Sequence, residues 1–410
     1  MKNSMRHGGA RRAATALAFV AVGGLLAGCV PNAPAGADAT IVAVDSSASD
    51  CVVDTATVAS GTVTFSVTNS GDRITEFYLL GQDGLSIVSE VENIAPGSSR
   101  DLTVVAQPGS YFTECKPGMI GAGVGTADFT VTGDTVAVDA SQEEAIAAAV
   151  TSYTAYTKDQ AAQLVTAVGD FVAAYVAGDD ETARALFAPA RVFYERIEPT
   201  ASAFGDLDPA IDYRKPGADA EGLEFTGFHR IEADLWLDAA QANYPGEFDA
   251  LDPAGRQELG DRLVADIQTL YDLVHADDFE LSIADITNGA IGLLDEVSAP
   301  DGKLPGEENE FSHTDLSDFY ANVEGAEVAY LAVRDIAAGA GADGEALVAE
   351  LDEQFAAMKA LLNTYGDYDA GFVFYDTVTQ DERNELGAQL NALSEPLSQL
   401  TGTVLGIPAE

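Results

Sequence analysis

Basic residues are the first shortage. The 410 residues hold 20 Lys and Arg against 67 Asp and Glu, a formal net charge of −47. A surface of that sign repels nucleic acid and anionic lipid and gathers cations, so nucleic-acid binding is excluded. Histidine is scarcer, with four in the chain, and none stands between His7 and His229. Any site built in that interval does without imidazole. Cysteine occurs three times, at Cys29, Cys51 and Cys115. Serine or cysteine hydrolase chemistry finds no nucleophile motif. After the first thirty residues no apolar run is long enough to read as a membrane span.

That early run is an address. Lys2, Arg6, Arg11 and Arg12 form a basic n-region ahead of the short apolar stretch ATALAFVAVGGLLAG, the pattern of an export signal. It ends in Leu26-Ala27-Gly28-Cys29, which resembles a lipoprotein signal-peptidase box. Residues 1–28 are therefore expected to be a signal peptide, with Cys29 lipidated and residues 29–39 a small-residue linker. The body is expected in the cell envelope, on the outer face of the cell membrane, held by its lipid anchor only.

Residues 40–138 read as β. ATIVAVD, GTVTFSVTNS and SRDLTVVAQPGSYFTEC alternate apolar and polar residues between Gly-, Asn- and Pro-rich breaks, and about seven short strands suggest a sandwich. Residues 141–408 read as helical. Ser141 and Glu144 make a capping box. Leu164, Val168, Phe171, Val172 and Tyr175 then recur at helical spacing, as do Leu259, Leu263, Ile267, Leu270 and Val274, and Leu386, Leu390, Leu393 and Leu397. About eight helices suggest two four-helix bundles.

The chemistry gathers in TGFHRIEADLW, residues 226–236. His229 and Glu232 are three apart and share one helix face, with Phe228, Ile231 and Leu235 as the apolar stripe. An imidazole and a carboxylate facing a helical core are the ligand types of bundle metal sites. A buried histidine satisfied by its own i+3 glutamate has the same pattern. Upstream, RVFYERIEP spaces Glu195 and Glu198 likewise, and FGDLDPAIDYR adds Asp206, Asp208 and Asp212. Those aspartates also suit capping and Asx turns. His313, ahead of Asp315 and Asp318, reads as a helix-start residue. His275 ends a helix, where a partly cationic ring is favourable.

ARVFYERIEP, FGDLDPAID, TGFHRIEADLW and FSHTDLSDFYANVEGA occur in that order. Together they resemble the imelysin-like, peptidase-like domain of the EfeO-type iron-uptake lipoproteins, over roughly residues 145–405. The segment NIAPGSSRDLTVVAQPGSYFTECKPGM resembles the end of a cupredoxin domain, which such proteins often carry in front. The resemblance implies an all-β cupredoxin-like sandwich followed by an all-α imelysin-like domain of two four-helix bundles. The ligands expected for a metal are Glu195, Glu198, Asp212 and His229, with Glu232 as ligand or as the group orienting His229. Carboxylates with one imidazole suit Fe(III) and tolerate Zn(II) or Mn(II), and the resemblance selects iron, as Fe3+ or Fe2+. Partners implied are a membrane iron permease that receives the ion and a haem-peroxidase-like component.

With no histidine in it, the β domain departs from a blue-copper site, which takes two His, a Cys and a weak axial ligand. The resemblance suggests Cys51, Glu76 and Cys115 as an unusual copper or iron site, with Met119 nearby. A Cys51–Cys115 disulfide, natural in an exported protein, is the other reading. The family name also raises a metallopeptidase. A zinc peptidase helix carries His-Glu-x-x-His, whereas here Arg230 follows His229 and Ala233 stands where the second histidine would fall. Catalysis is therefore not expected. A structural envelope lipoprotein with a vestigial site is the third reading.

Overall fold

A computed structural model describes residues 40–136, 141–298, 303–304 and 308–406. The expected signal peptide, Cys29 and the linker lie outside the described residues.

Nine strands occupy the first region: β1 (Thr40–Ser46), β2 (Cys51–Val53), β3 (Thr57–Ala59), β4 (Gly61–Asn69), β5 (Thr75–Leu80), β6 (Ile87–Ile94), β7 (Ser99–Ala106), β8 (Gly109–Cys115) and β9 (Val124–Thr132). They form two sheets, ordered β2-β1-β4-β7 and β3-β9-β8-β5-β6. Alternation decides which side chains point inward. Val42 and Val44 of β1, Val63, Phe65 and Val67 of β4, Phe77 and Leu79 of β5, and Phe129 and Val131 of β9 meet in one core. Three-residue β2 and β3 are too short to show a period in the sequence, so the strand count exceeds the seven expected.

Helices follow. They are α1 (Gln142–Ala177), α2 (Asp180–Glu195), α3 (Leu207–Asp212), α4 (Lys215–Glu221), α5 (Gly227–Leu235), α6 (Leu237–Asn243), α7 (Pro253–Val274), α8 (Ile283–Ser298), α9 (Asp315–Ala338), α10 (Ala342–Leu362), α11 (Gln380–Leu397) and α12 (Leu400–Leu405). The expected capping box starts α1: Ser141 Oγ accepts from the Glu144 amide, and the Glu144 side chain caps the Ser141 amide. The apolar periods of α1, α7 and α11 point into a single large core. A β-sheet region thus precedes a mostly helical one.

The two regions touch along α1. Tyr78, Leu80 and Ile87 pack on Ala155, and buried Lys116 pairs with Asp159 of α1. Near the helical centre the backbones come close. A Cβ at Gly325 of α9 would lie 2.3 Å from the Arg196 carbonyl oxygen, so only glycine lets α9 lie against the end of α2. His275 closes α7, where Nδ1–H donates to the Tyr271 carbonyl at 2.8 Å. Burial pulls its pKa down, so this ring is neutral rather than partly cationic.

Candidate metal centre

α2 delivers Glu195 at its last position and then stops. Pro199 two residues after Ile197 lacks an amide proton and disfavours a continued α-helix before it. Glu198 therefore opens a separate 3-10 turn, Glu198–Ala203, and is not on the same helix as Glu195. A second junction sets the other half of the site. Gly227, with φ +70°, opens α5 in a conformation that favours glycine, and a Cβ there would lie 2.0 Å from the Ile211 carbonyl oxygen. Thr226 Oγ1 donates to the Ala210 carbonyl at 2.9 Å. These contacts press the start of α5 against the end of α3. His229 thereby faces Asp212, with Nε2 3.5 Å from Asp212 Oδ1.

His229 is 1% exposed and Glu232 is fully buried. Nδ1 of His229 donates to Glu232 Oε2 at 3.1 Å. The other carboxylate oxygen of Glu232 accepts from the amides of Phe311 (3.1 Å) and Ser312 (2.8 Å). Glu232 is thus spoken for, as a group that holds the ring and the 311–312 backbone. Nε2, by contrast, is buried without a hydrogen-bond partner. It points between Asp212 and Glu308, whose Oε1 is 3.7 Å away. One atom each from Asp212, His229 and Glu308 lies within 4.8 Å of the others, and the same holds for Glu195, Glu308 and Asp318.

Two cations sit among these acids. The Arg191 guanidinium is fully buried and pairs with Glu195, Asp212, Glu308 and Asp318, while lying over the rings of Phe187 and Phe228. The Lys303 ammonium donates to Glu195 Oε2 at 2.7 Å and Glu198 Oε2 at 2.8 Å. Asn322 Nδ2 donates to the same two oxygens at 3.0 and 2.7 Å. Asn309 Nδ2 holds Asp318 at 2.6 Å. A cleft of about 1050 Å³ is lined by Glu198, Asp212 and Glu308 and also by Asp208, Glu296 and Glu310.

The electrostatics follow from this layout. Burial pushes Glu198 and Asp318 well above the usual carboxylate range and Asp212 up to about 6, against the pull of Arg191. Burial also acts on Glu195 and Glu308, but there Lys303 and other cations win and both are lowered. Burial and Arg191 oppose protonation of His229, yet the carboxylates of Glu232, Glu308 and Asp212 outweigh them and raise it to about 9. Carboxylates this close repel one another, and Arg191 and Lys303 relieve most of that repulsion.

Of the five helical residues singled out in sequence, Asp212 and His229 converge directly, Glu195 and Glu198 meet through Lys303 and Asn322, and Glu232 stands behind the ring. Sequence reasoning missed Glu308, Arg191 and Lys303, and it placed Asp318 only at a helix start, after His313. Arg191 was visible as the i+4 partner of Glu195 in ARVFYER. Glu308 sits in the acidic run GEENE, which carries no period. Lys303 had only the scarcity of positive charge to mark it.

The residues singled out in the β region separate. Cys51 and Cys115 are joined in a disulfide within the sheet core. Glu76 precedes Phe77, which pairs with Cys115 across β5 and β8, so its side chain leaves by the opposite face. There it accepts from the Tyr78 hydroxyl at 2.5 Å and faces Met119, Asp159 and His275. Burial raises Glu76 to about 7.

The imelysin family profile matches residues 149–400. The iron uptake system component EfeO of Escherichia coli (strain K12) is 37% identical over 376 residues, covering 90% of this chain and 93% of that protein. Its counterparts in E. coli O157:H7 and Shigella flexneri match to the same extent. An imelysin-like protein from Psychrobacter arcticum 273-4, known from its crystal structure, is 13% identical, with a TM-score of 0.43 over 67% of this chain and 99% of that one.

Proposed function

The chain belongs to the imelysin family, with EfeO components as relatives along nearly its whole length, and on that premise we propose that it is an extracytoplasmic metal-binding protein of an iron uptake system. Iron is its cargo, held by Glu195, Glu198, Asp212 and His229, with Glu232 orienting the ring, and passed on to a membrane permease. To that set we add Glu308, which faces both Asp212 and His229. The β region as a cupredoxin-like sandwich, the helical region as paired four-helix bundles and lipidation at Cys29 belong to the same reading.

One observation carries it. Nε2 of His229 is a buried ring nitrogen without a hydrogen-bond partner, directed at two carboxylates at the end of an acidic cleft. In the free protein Asp212 at 3.5 Å and Glu308 at 3.7 Å balance a protonated ring, and a hard cation taking the place of that proton between the three is what the donor set suits. No described helix is long and apolar enough to cross a membrane, and a lipid tether fits that. Transport rather than peptide hydrolysis is favoured because Glu232, the acid next to the histidine, has its oxygens committed to His229, Phe311 and Ser312 and is not free to serve as a base. Elemental analysis and thermal melting of the body, wild type beside His229→Ala, test the reading. Wild type should take up Fe(III) and melt higher with it, by about 2.7 kcal/mol at a hundredfold excess over Kd, while the variant should show neither. An undiminished response in the variant would overturn it.

A further inference from the structure

Lys303 is held where cargo would have to go. Its side chain is 4% exposed, and its ammonium lies 2.7 and 2.8 Å from Glu195 and Glu198 and 3.7 Å from Glu308. Those are three of the acids that the metal reading needs. Its backbone is fixed nearby, since the Leu304 amide donates to the Val297 carbonyl at 3.0 Å and the Tyr375 hydroxyl to the Leu304 carbonyl. Arg191 differs. It is wedged against two phenylalanine rings with no exposed atom, whereas the carboxylates that hold Lys303 include Glu198 at the wall of the cleft.

We propose that Lys303 is a resident counter-cation which incoming metal must displace from Glu195, Glu198 and Glu308, and whose return to them drives release of the cargo. The inference rests on the metal-binding reading above and adds a threshold to it. The metal can first engage Asp212 and His229, which face each other at 3.5 Å and are outside the ion pairs of Lys303. Drawing in Glu195 and Glu198 then requires the ammonium to leave, while Asn322 keeps both carboxylates in place with hydrogen bonds that do not depend on Lys303. Displacing the ammonium costs the same for every ion. It therefore lowers all affinities alike, so that weakly held divalent ions fall below occupancy and only strongly held ones load. Refilling by the side chain leaves no bare carboxylates behind, so the ion can leave toward a competing acceptor without exposing buried like charges.

The experiment compares wild type, Lys303→Gln and Lys303→Arg in the full chain, titrated with Zn(II) and with Fe(III) buffered by nitrilotriacetate. Removing charged hydrogen bonds that compete with the ion should tighten Lys303→Gln about ten- to hundredfold for both ions, with their ratio unchanged, and Lys303→Arg should stay near wild type. A second readout needs no variant. Lys303 should be protected from an amine-acylating reagent in the free protein and become reactive when metal is loaded, as read by peptide mass spectrometry. Equal or weaker binding by Lys303→Gln, or protection of Lys303 in both states, would overturn the proposal while leaving the binding site intact if His229→Ala still abolishes uptake. Failure of wild type itself to bind either ion would overturn both readings together.

Discussion

The helical region and the β-sheet region each take a few polar residues spaced closely in sequence, and they treat them in opposite ways. On α5, His229 and Glu232 are three apart and share a face, so the carboxylate meets the ring at 3.1 Å. On β5, Glu76 is next to Phe77, the residue paired with Cys115, and strand alternation sends the two side chains to opposite sides. One spacing gathers donors and the other disperses them. Residues brought near by chain topology form a site only when the local period turns them to the same side.

The largest effect that would sharpen this contrast is at Arg191. Its guanidinium ties four acids from α2, α3, α9 and the segment before α9, and removal leaves them buried and unpaired. Arg191→Ala should cost about 3–5 kcal/mol in chemical denaturation. A loss below 1 kcal/mol would mean that the acids are not held by this cation. Next comes the Cys51–Cys115 bond, which closes a separation of 64 residues in the β region. Cys51→Ser with Cys115→Ser should lose about 2–5 kcal/mol, while the metal-induced rise in melting temperature stays as in wild type. Loss of that rise would tie the two regions together and break the comparison.

A smaller effect should appear on changing pH. The raised pKa of His229, about 9 against an ordinary 6.5, contributes stability that is complete below pH 6.5 and lost as pH climbs through 9. The raised Asp212, near 6, likewise favours the folded form while protonated, and that contribution is gone above pH 6. Metal-free protein should therefore lose about 3 kcal/mol from His229 between pH 6.5 and 9. Metal affinity should move the other way over the same interval, because His229 must shed its proton to bind. Melting scans with and without Fe(III) across that range check both slopes. Parallel slopes would count against His229 as a ligand.

Much of this layout was legible in the sequence, and the reason is periodicity. The capping box at Ser141, the stripes of α1 and α7 and the shared face of His229 and Glu232 all follow from a 3.6-residue repeat. Reading Glu195 and Glu198 as one helix pair failed because Pro199 breaks the helix between them. Glu308 and Lys303 lie in stretches without a repeat, where only the tertiary fold decides what meets what. The same holds for Arg191, whose i+4 partner was readable but whose contacts with Asp212, Glu308 and Asp318 span 21, 117 and 127 positions. In the β region the two cysteines left both a disulfide and a thiolate site open, since sequence carries no distance between them.

The most direct test is anomalous diffraction at the iron edge from crystals of iron-loaded protein. The account predicts a peak about 2.1 Å from His229 Nε2, within reach of Asp212 and Glu308, with Lys303 moved off Glu195 and Glu198. A peak beside Glu76 or the Cys51–Cys115 disulfide, with His229 Nε2 left bare, would contradict it.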